Sequence, residues 1–294
     1  MPSDGPLNDA IGLVSHEVRA GILVALAEHQ REHPRAAALS FSDLRERVGH
    51  DDPGNFNYHL KRLLGTLVEK TEEGYRLSDV GHHFVAVLHS GRFDPDRRRE
   101  FPDAETACLL CGGASTVTYE DGSLRVACEA GHTSLLNVGP ELLERHSLTT
   151  ALDVAVRRTL LEARSTMDDV CPYCGGATSG TVARFPEDPV AVTFEWTCER
   201  CGAFLQNTAG GCVLYHPAVV GFCYRRGVDV FDDAWTALAE HVGDGTVVSE
   251  DPLRVQVAVT LAGDRLVLIL DESTSVVDIS GDGAFDESSA EGGG

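Results

Sequence analysis

Residues 41–78 read FSDLRERVGHDDPGNFNYHLKRLLGTLVEKTEEGYRLS. Residues Ser42–Val48 hold apolar side chains at helical spacing, and His50–Gly54 carries a Pro/Gly turn. A second helix is expected near Asn55–Leu64, and the chain then alternates on either side of Glu72-Glu73-Gly74. Helix, turn, helix and hairpin in that order predict a winged helix-turn-helix. At 100° per residue, Phe56, Leu60, Leu63, Leu64 and Leu67 fall on one stripe that must be buried. Tyr58, Lys61, Arg62 and Gly65 point the other way, flanked by Asn55 and Asn57. Amide, phenolic and basic groups on an outward helix face can read base edges and grip phosphates. Lys70 and Arg76 flank the hairpin turn, where a wing meets the backbone beside the groove. We therefore expect Asn55, Asn57, Tyr58, Lys61, Arg62, Lys70 and Arg76 to contact double-stranded DNA.

Upstream, residues 15–26 read SHEVRAGILVAL, and residues 55–60 read NFNYHL. Together they resemble the ArsR-type winged-helix regulators over roughly Leu7 to Ser90. The whole chain resembles the haloarchaeal members with a long zinc-ribbon C-terminal half. That resemblance implies a homodimer whose recognition helices enter adjacent major grooves. Where the family's metal sensors carry a thiolate site, Ser42–Val48 has no cysteine, so no inducible sensing is expected there.

The chain has 294 residues, enough for two or three small domains, and a formal net charge of -22. From Phe41 to Arg99, ten basic residues balance ten acidic ones, so the excess acid lies outside the DNA-reading region. Lys61 and Lys70 are the only lysines, against 22 arginines. An acidic, lysine-poor surface suits a halophilic cytoplasm, where charge is screened within ~3 Å. Such salt removes most counterion-release affinity, so base contacts and dimeric geometry must carry recognition. The N-terminal residues lack a basic region followed by an apolar stretch, and no apolar run approaches the length of a membrane span. A cytoplasmic location with reduced thiols and no membrane partner is the expectation.

Nine cysteines are present, seven of which fall in close pairs or pair with a nearby histidine. Cys108-x2-Cys111 precedes Cys128-x3-His132, and Cys171-x2-Cys174 precedes Cys198-x2-Cys201. A two-residue gap lets both thiolates of one turn reach a single ion, and two such pairs separated by strands are the layout of a zinc ribbon. Gly112, Gly175 and Gly202 stand where the backbone must turn sharply. Both quartets supply four protein ligands, so two structural Zn2+ ions per chain are expected, with no vacancy for a substrate. Cys212 and Cys223 lie in apolar surroundings and read as core, while His82, His83 and His89 read as helix-surface residues.

The expected architecture is an α+β multidomain chain. A winged helix-turn-helix occupies 1–92, with helices near Leu7–Val14, His16–Arg31, Ser42–Val48, Asn55–Leu64 and Asp79–Ser90, and a linker occupies 93–103. The first ribbon spans 104–139, connecting helices 140–167 and the second ribbon 168–216. Residues 217–280 are read as small helices (Pro217–Gly227, Ala234–His241) plus an antiparallel β meander, and 281–294 as a disordered acidic tail. Leu148, Ala151, Leu152, Ala155, Val156, Leu160 and Ala163 make an apolar stripe for the ribbons or a second subunit. No catalytic triad, paired-carboxylate signature or phosphate-binding loop appears, so no enzyme is expected. The leading expectation is a sequence-specific DNA-binding transcription regulator. The alternative is a general transcription accessory factor that docks RNA polymerase through acidic ribbons.

Overall fold

The computed structural model describes residues 11–91, 98–185 and 192–282. The chain is mixed α+β and divides into two compact units, residues 1–94 and 95–294. Each has its own buried cluster of apolar side chains.

The first unit begins, among the described residues, with a helical turn over 11–14; the rest of the helix expected at Leu7–Val14 lies outside them. Helix α1 (Glu17–Glu32) follows, then α2 (Phe41–Val48) and α3 (Pro53–Leu63). Strands β1 (Val68–Lys70) and β2 (Tyr75–Leu77) pair antiparallel, and α4 (Asp79–His89) closes the unit. Local chemistry sets the starts. Ser40 accepts the Asp43 N–H at 3.2 Å, and Asp52 accepts those of Gly54 and Asn55 at 2.7 and 3.1 Å, with Pro53 in the first turn of α3. Ser78 accepts the Gly81 N–H at 3.0 Å at the start of α4. The hairpin needs Gly74: its φ is 143°, and a Cβ there would stand 2.2 Å from the Leu39 carbonyl oxygen. Ile22, Leu26, Leu44, Phe56, Leu60 and Leu63 form the core, with α1 packed on α2, α3, α4 and β2.

Among the described residues, the second unit holds three antiparallel sheets. β3 (Arg99–Ala107), β4 (Ala114–Glu120), β5 (Ser123–Cys128) and β6 (Thr133–Asn137) form a four-stranded meander. After α5 (Pro140–Arg145) and α6 (Leu148–Met167) come β7 (Thr178–Arg184), β8 (Val192–Cys198) and β9 (Phe204–Thr208), paired in that order. Helices α7 (Ala209–Val213), α8 (Pro217–Tyr224) and α9 (Ala234–Glu240) lead into β10 (Thr246–Glu250), β11 (Leu253–Leu261), β12 (Asp264–Leu270) and β13 (Val276–Gly281), a second four-stranded meander.

The structure refines several expectations. The segment drawn as a linker over 93–103 is strand from Arg99 onward, so the first sheet is larger than 104–139 alone supplies. Of the two partners expected for the apolar stripe of α6, its own unit covers it: Ala151, Leu152, Ala155, Val156, Leu160 and Ala163 are buried in this unit's core. The segments drawn as separate ribbons and a C-terminal region share that one core, which runs from Val117 through α6 and Phe194 to Leu270. The C-terminal meander has four strands, with β10 added to the three expected. Most of the tail expected at 281–294 lies outside the described residues.

Polar ties, one of them buried, join distant segments of this unit. Asp153 on α6 accepts the Trp235 N–H of α9 at 2.9 Å. Arg226 donates to Asp264 at 2.6 Å and lies over the Phe222 ring at 3.8 Å. Cys223 is buried in the core and Cys212 packs against it, both with thiols pushed up by burial.

Candidate metal centres and helix surface

The two cysteine-rich sets close into two quartets. Cys108, Cys111, Cys128 and His132 form one, Cys171, Cys174, Cys198 and Cys201 the other, with all ligand atoms of a quartet within 4.8 Å of one another. Each quartet joins turns that a strand pair brings together. Cys108 and Cys111 follow β3, while Cys128 and His132 flank the β5–β6 turn. Cys171 and Cys174 precede β7, while Cys198 and Cys201 sit at the β8–β9 turn.

Three of the four turns share one backbone pattern. Gly112 donates to the Cys108 carbonyl at 2.9 Å, Gly175 to that of Cys171 at 2.9 Å and Gly202 to that of Cys198 at 3.0 Å. In return Cys108, Cys171 and Cys198 donate to the carbonyls of Gly113, Gly176 and Ala203 at 2.7–2.8 Å. The three glycines have φ of 67–71°, the left-handed conformation that places both sulfurs on one side. The fourth turn is wider by one residue: Gly131, at φ 91°, donates to Cys128, and Cys128 donates to the His132 carbonyl at 3.1 Å.

The spacing fits a tetrahedral ion. Four sulfurs ~2.3 Å from a common centre stand ~3.8 Å apart, and a nitrogen in place of one reduces that pair to ~3.6 Å. Cys111 and Cys128 sulfurs are 3.7 Å apart, as are those of Cys171 and Cys201; Cys174 and Cys198 are 3.5 Å apart. His132 Nδ1 lies 3.6 Å from Cys128 Sγ and 3.8 Å from Cys108 Sγ. A disulfide would need ~2.05 Å. The Cys201 N–H, 3.5 Å from Cys198 Sγ, is the main cause that holds this thiol down to about 6, against its burial and with help from the Arg200 N–H at 3.4 Å. Leu110 donates to Cys108 Sγ in the same manner at 3.4 Å. Such N–H groups orient thiolate ligands. Either quartet can hold a metal ion such as zinc.

In the first unit, α3 turns Phe56, His59, Leu60 and Leu63 inward. Asn55, Tyr58, Lys61 and Arg62 are exposed on its other side, and Asn57 is half-buried. Lys70 and Arg76 are exposed on the hairpin, with different degrees of freedom. Lys70 Nζ sits 5.8 Å from the Tyr75 ring centroid, whereas Arg76 Nε donates to Glu69 at 2.5 Å across the β1–β2 pair. Sequence reasoning missed His59. It is buried, stacks on His16 at 4.0 Å between ring centroids and has its Nδ1 3.2 Å from Arg19 Nη1. Burial is the main cause that lowers its basicity, with His16 and Arg19 adding to it. The signal was available, since residue 59 lies three after Phe56 and shares its stripe. The His82 ring meets Gln30, and His83 Nδ1 meets the Asp79 carbonyl.

The second unit therefore carries two candidate four-ligand metal sites at strand turns, one of four cysteines and one of three cysteines and a histidine. Its family is shown: the chain belongs to the domain of unknown function DUF7351, which matches residues 105–276, and residues 7–88 match a second domain of unknown function, DUF7347. Comparison with curated proteins finds no match.

Proposed function

We propose that the protein is a sequence-specific DNA-binding transcription regulator, related to the haloarchaeal ArsR-type proteins. In this reading the first unit is a winged helix-turn-helix and the quartets are structural zinc ribbons. One observation carries it. The helix α3 buries Phe56, Leu60 and Leu63 and presents Asn55, Tyr58, Lys61 and Arg62 to solvent, in a unit whose hairpin exposes Lys70. An α-helix with amide, phenolic and basic groups on its free face fits the major groove.

A homodimer is part of the proposal. Val80, Val87 and Leu88 are exposed on α4, an apolar surface that self-association would cover. The zinc ions act as scaffold, because each quartet spends all four coordination positions on the protein. No enzymatic role is proposed. A cytoplasmic location agrees with the absence of a long apolar helix among the described residues.

The second reading, an accessory factor that docks RNA polymerase, is favoured by the acidic residues of the ribbon segments. Footprinting separates the two. A regulator protects a defined, two-fold-related site with purified protein alone, whereas an accessory factor gives sequence-indifferent protection that needs polymerase. Absence of any protected site in a genome-wide map of bound DNA would overturn the proposal.

A further inference from the structure

The second unit contains a cavity of about 610 Å³, within the size range of small-molecule sites. Both quartets reach it through the residues between their paired cysteines. Leu109 and Leu110 stand between Cys108 and Cys111, and Tyr173 stands between Cys171 and Cys174; all three line the cavity. Its wall is thus anchored at two separate ligand turns and backed by α6.

The charge of the lining is one-sided. Glu162 and Asp244 face the cavity, and among the described residues no lysine or arginine does. Glu162 is engaged, by Arg158 at 2.8 Å and by the Tyr173 hydroxyl at 3.0 Å. Asp244 makes no hydrogen bond among the described residues; burial raises its carboxyl above the usual range, and the side chain beside it is that of His132, which gives its Nδ1 to the first quartet. Asn207, also in the wall, has a buried Nδ2 without a hydrogen-bond partner. An anionic molecule would meet the Asp244 carboxyl group with no lysine or arginine in the lining to offset it. A molecule with an N–H donor and an apolar body meets an unspent acceptor among leucines.

We propose that this cavity is a binding site for a small amphipathic amine, its N–H group directed to Asp244 and its apolar body against Leu109 and Leu110. The site does not depend on the DNA-binding reading, and its test uses no DNA. The probes are 4-phenylbutylamine and 4-phenylbutyrate, which share a body and differ in the charge of the head. Their binding to the full-length, metal-containing chain is measured by calorimetry or ligand-observed NMR. The amine should bind at least ~10-fold more tightly than the acid. Asp244→Asn should remove most of that preference. Leu135 lines the cavity but is 58% exposed, so Leu135→Trp should narrow the opening without disturbing the core. That variant should weaken amine binding at least ~10-fold while its metal content stays unchanged. Failure of the amine to bind, equal binding of the acid, or unaltered amine binding in metal-replete Leu135→Trp would each overturn the assignment.

Discussion

Arg19 Nη1 lies 3.2 Å from His59 Nδ1, so α1 holds α3 through a hydrogen bond made behind the exposed face. The same His59 ring stacks on His16, which caps α1 by accepting the Val18 N–H at 3.2 Å. Orientation of the outward side chains therefore rests on a polar contact in an otherwise apolar interface.

His59→Ala should destabilise the first unit by ~1–3 kcal/mol, since it opens a gap and strands the Arg19 donor. Wild-type stability should also fall in mild acid. His59 is held below its usual range, so the unfolded chain binds the proton first. The contribution is complete above about pH 6.5 and is lost as pH drops from there to the lower folded value. Urea titrations at a series of pH values measure both; a histidine-independent acid limb, the same in His59→Ala as in wild type, would reject the argument.

Arg62→Ala should cost ~1–3 kcal/mol of operator affinity if Arg62 pairs with a base edge. The triple variant Tyr58→Ala/Lys61→Ala/Arg62→Ala should abolish specific binding while its circular dichroism is retained. Arg76→Ala should matter less than Lys70→Ala, because Glu69 already neutralises Arg76. Gel-shift titrations at fixed salt test the series, and a folded triple variant with full affinity would show that another surface reads DNA.

Metal analysis after dialysis should approach two equivalents of zinc per chain, and Cys201→Ser should lower that to one. Because the quartets share a core, chelation should unfold the second unit as a whole, whereas a fragment of residues 1–92 should fold without metal. A graded, reversible change of DNA affinity with free zinc, without unfolding, would make the sites sensors instead of scaffold.

Asp153 offers a sharper test of the second core. Burial raises its carboxyl above the usual range, against the Trp235 N–H that it accepts. Asp153→Asn keeps an acceptor and removes the buried charge, so its melting temperature should equal or exceed wild type at pH 7. Asp153→Ala leaves the Trp235 N–H unpaired and should cost ~1–3 kcal/mol. Equal losses in both variants would mean that the charge itself is needed.

Gly81→Ala should be severe for so small a change. A Cβ at that position would stand 2.0 Å from the Leu67 carbonyl oxygen, so α4 must shift off the hairpin, at a cost of ~1–3 kcal/mol or more. Thermal melting of the 1–92 fragment measures it.

What was legible in the sequence was local. Phe56, Leu60 and Leu63 announce α3 by spacing, and the quartets by their paired cysteines, because both patterns are properties of a few neighbouring residues. The strand β3 was masked by the Arg97-Arg98-Arg99 run and by Pro102, yet an edge strand tolerates both. Pro102 falls where the register with β4 shifts between Phe101 and Thr106, and Arg99 covers the Phe101 ring at 4.8 Å. The fate of the α6 stripe was hidden for a different reason. Amphipathic spacing says that a face is buried, but not whether its own chain or another covers it. The cavity was invisible, since Leu110, Tyr173 and Asp244 meet only through tertiary packing.

The burial of α6 between the two quartets also bears on how such a chain can be inherited. Residues on both sides of that helix, Leu124 and Val126 before it and Phe194 and Trp196 after it, depend on the same apolar interior. Recombination that exchanged one quartet and its strands for those of an unrelated protein would leave the other without its interior wall. The pair should therefore pass between lineages as a single block, whereas the first unit, with a core of its own, is free to be traded.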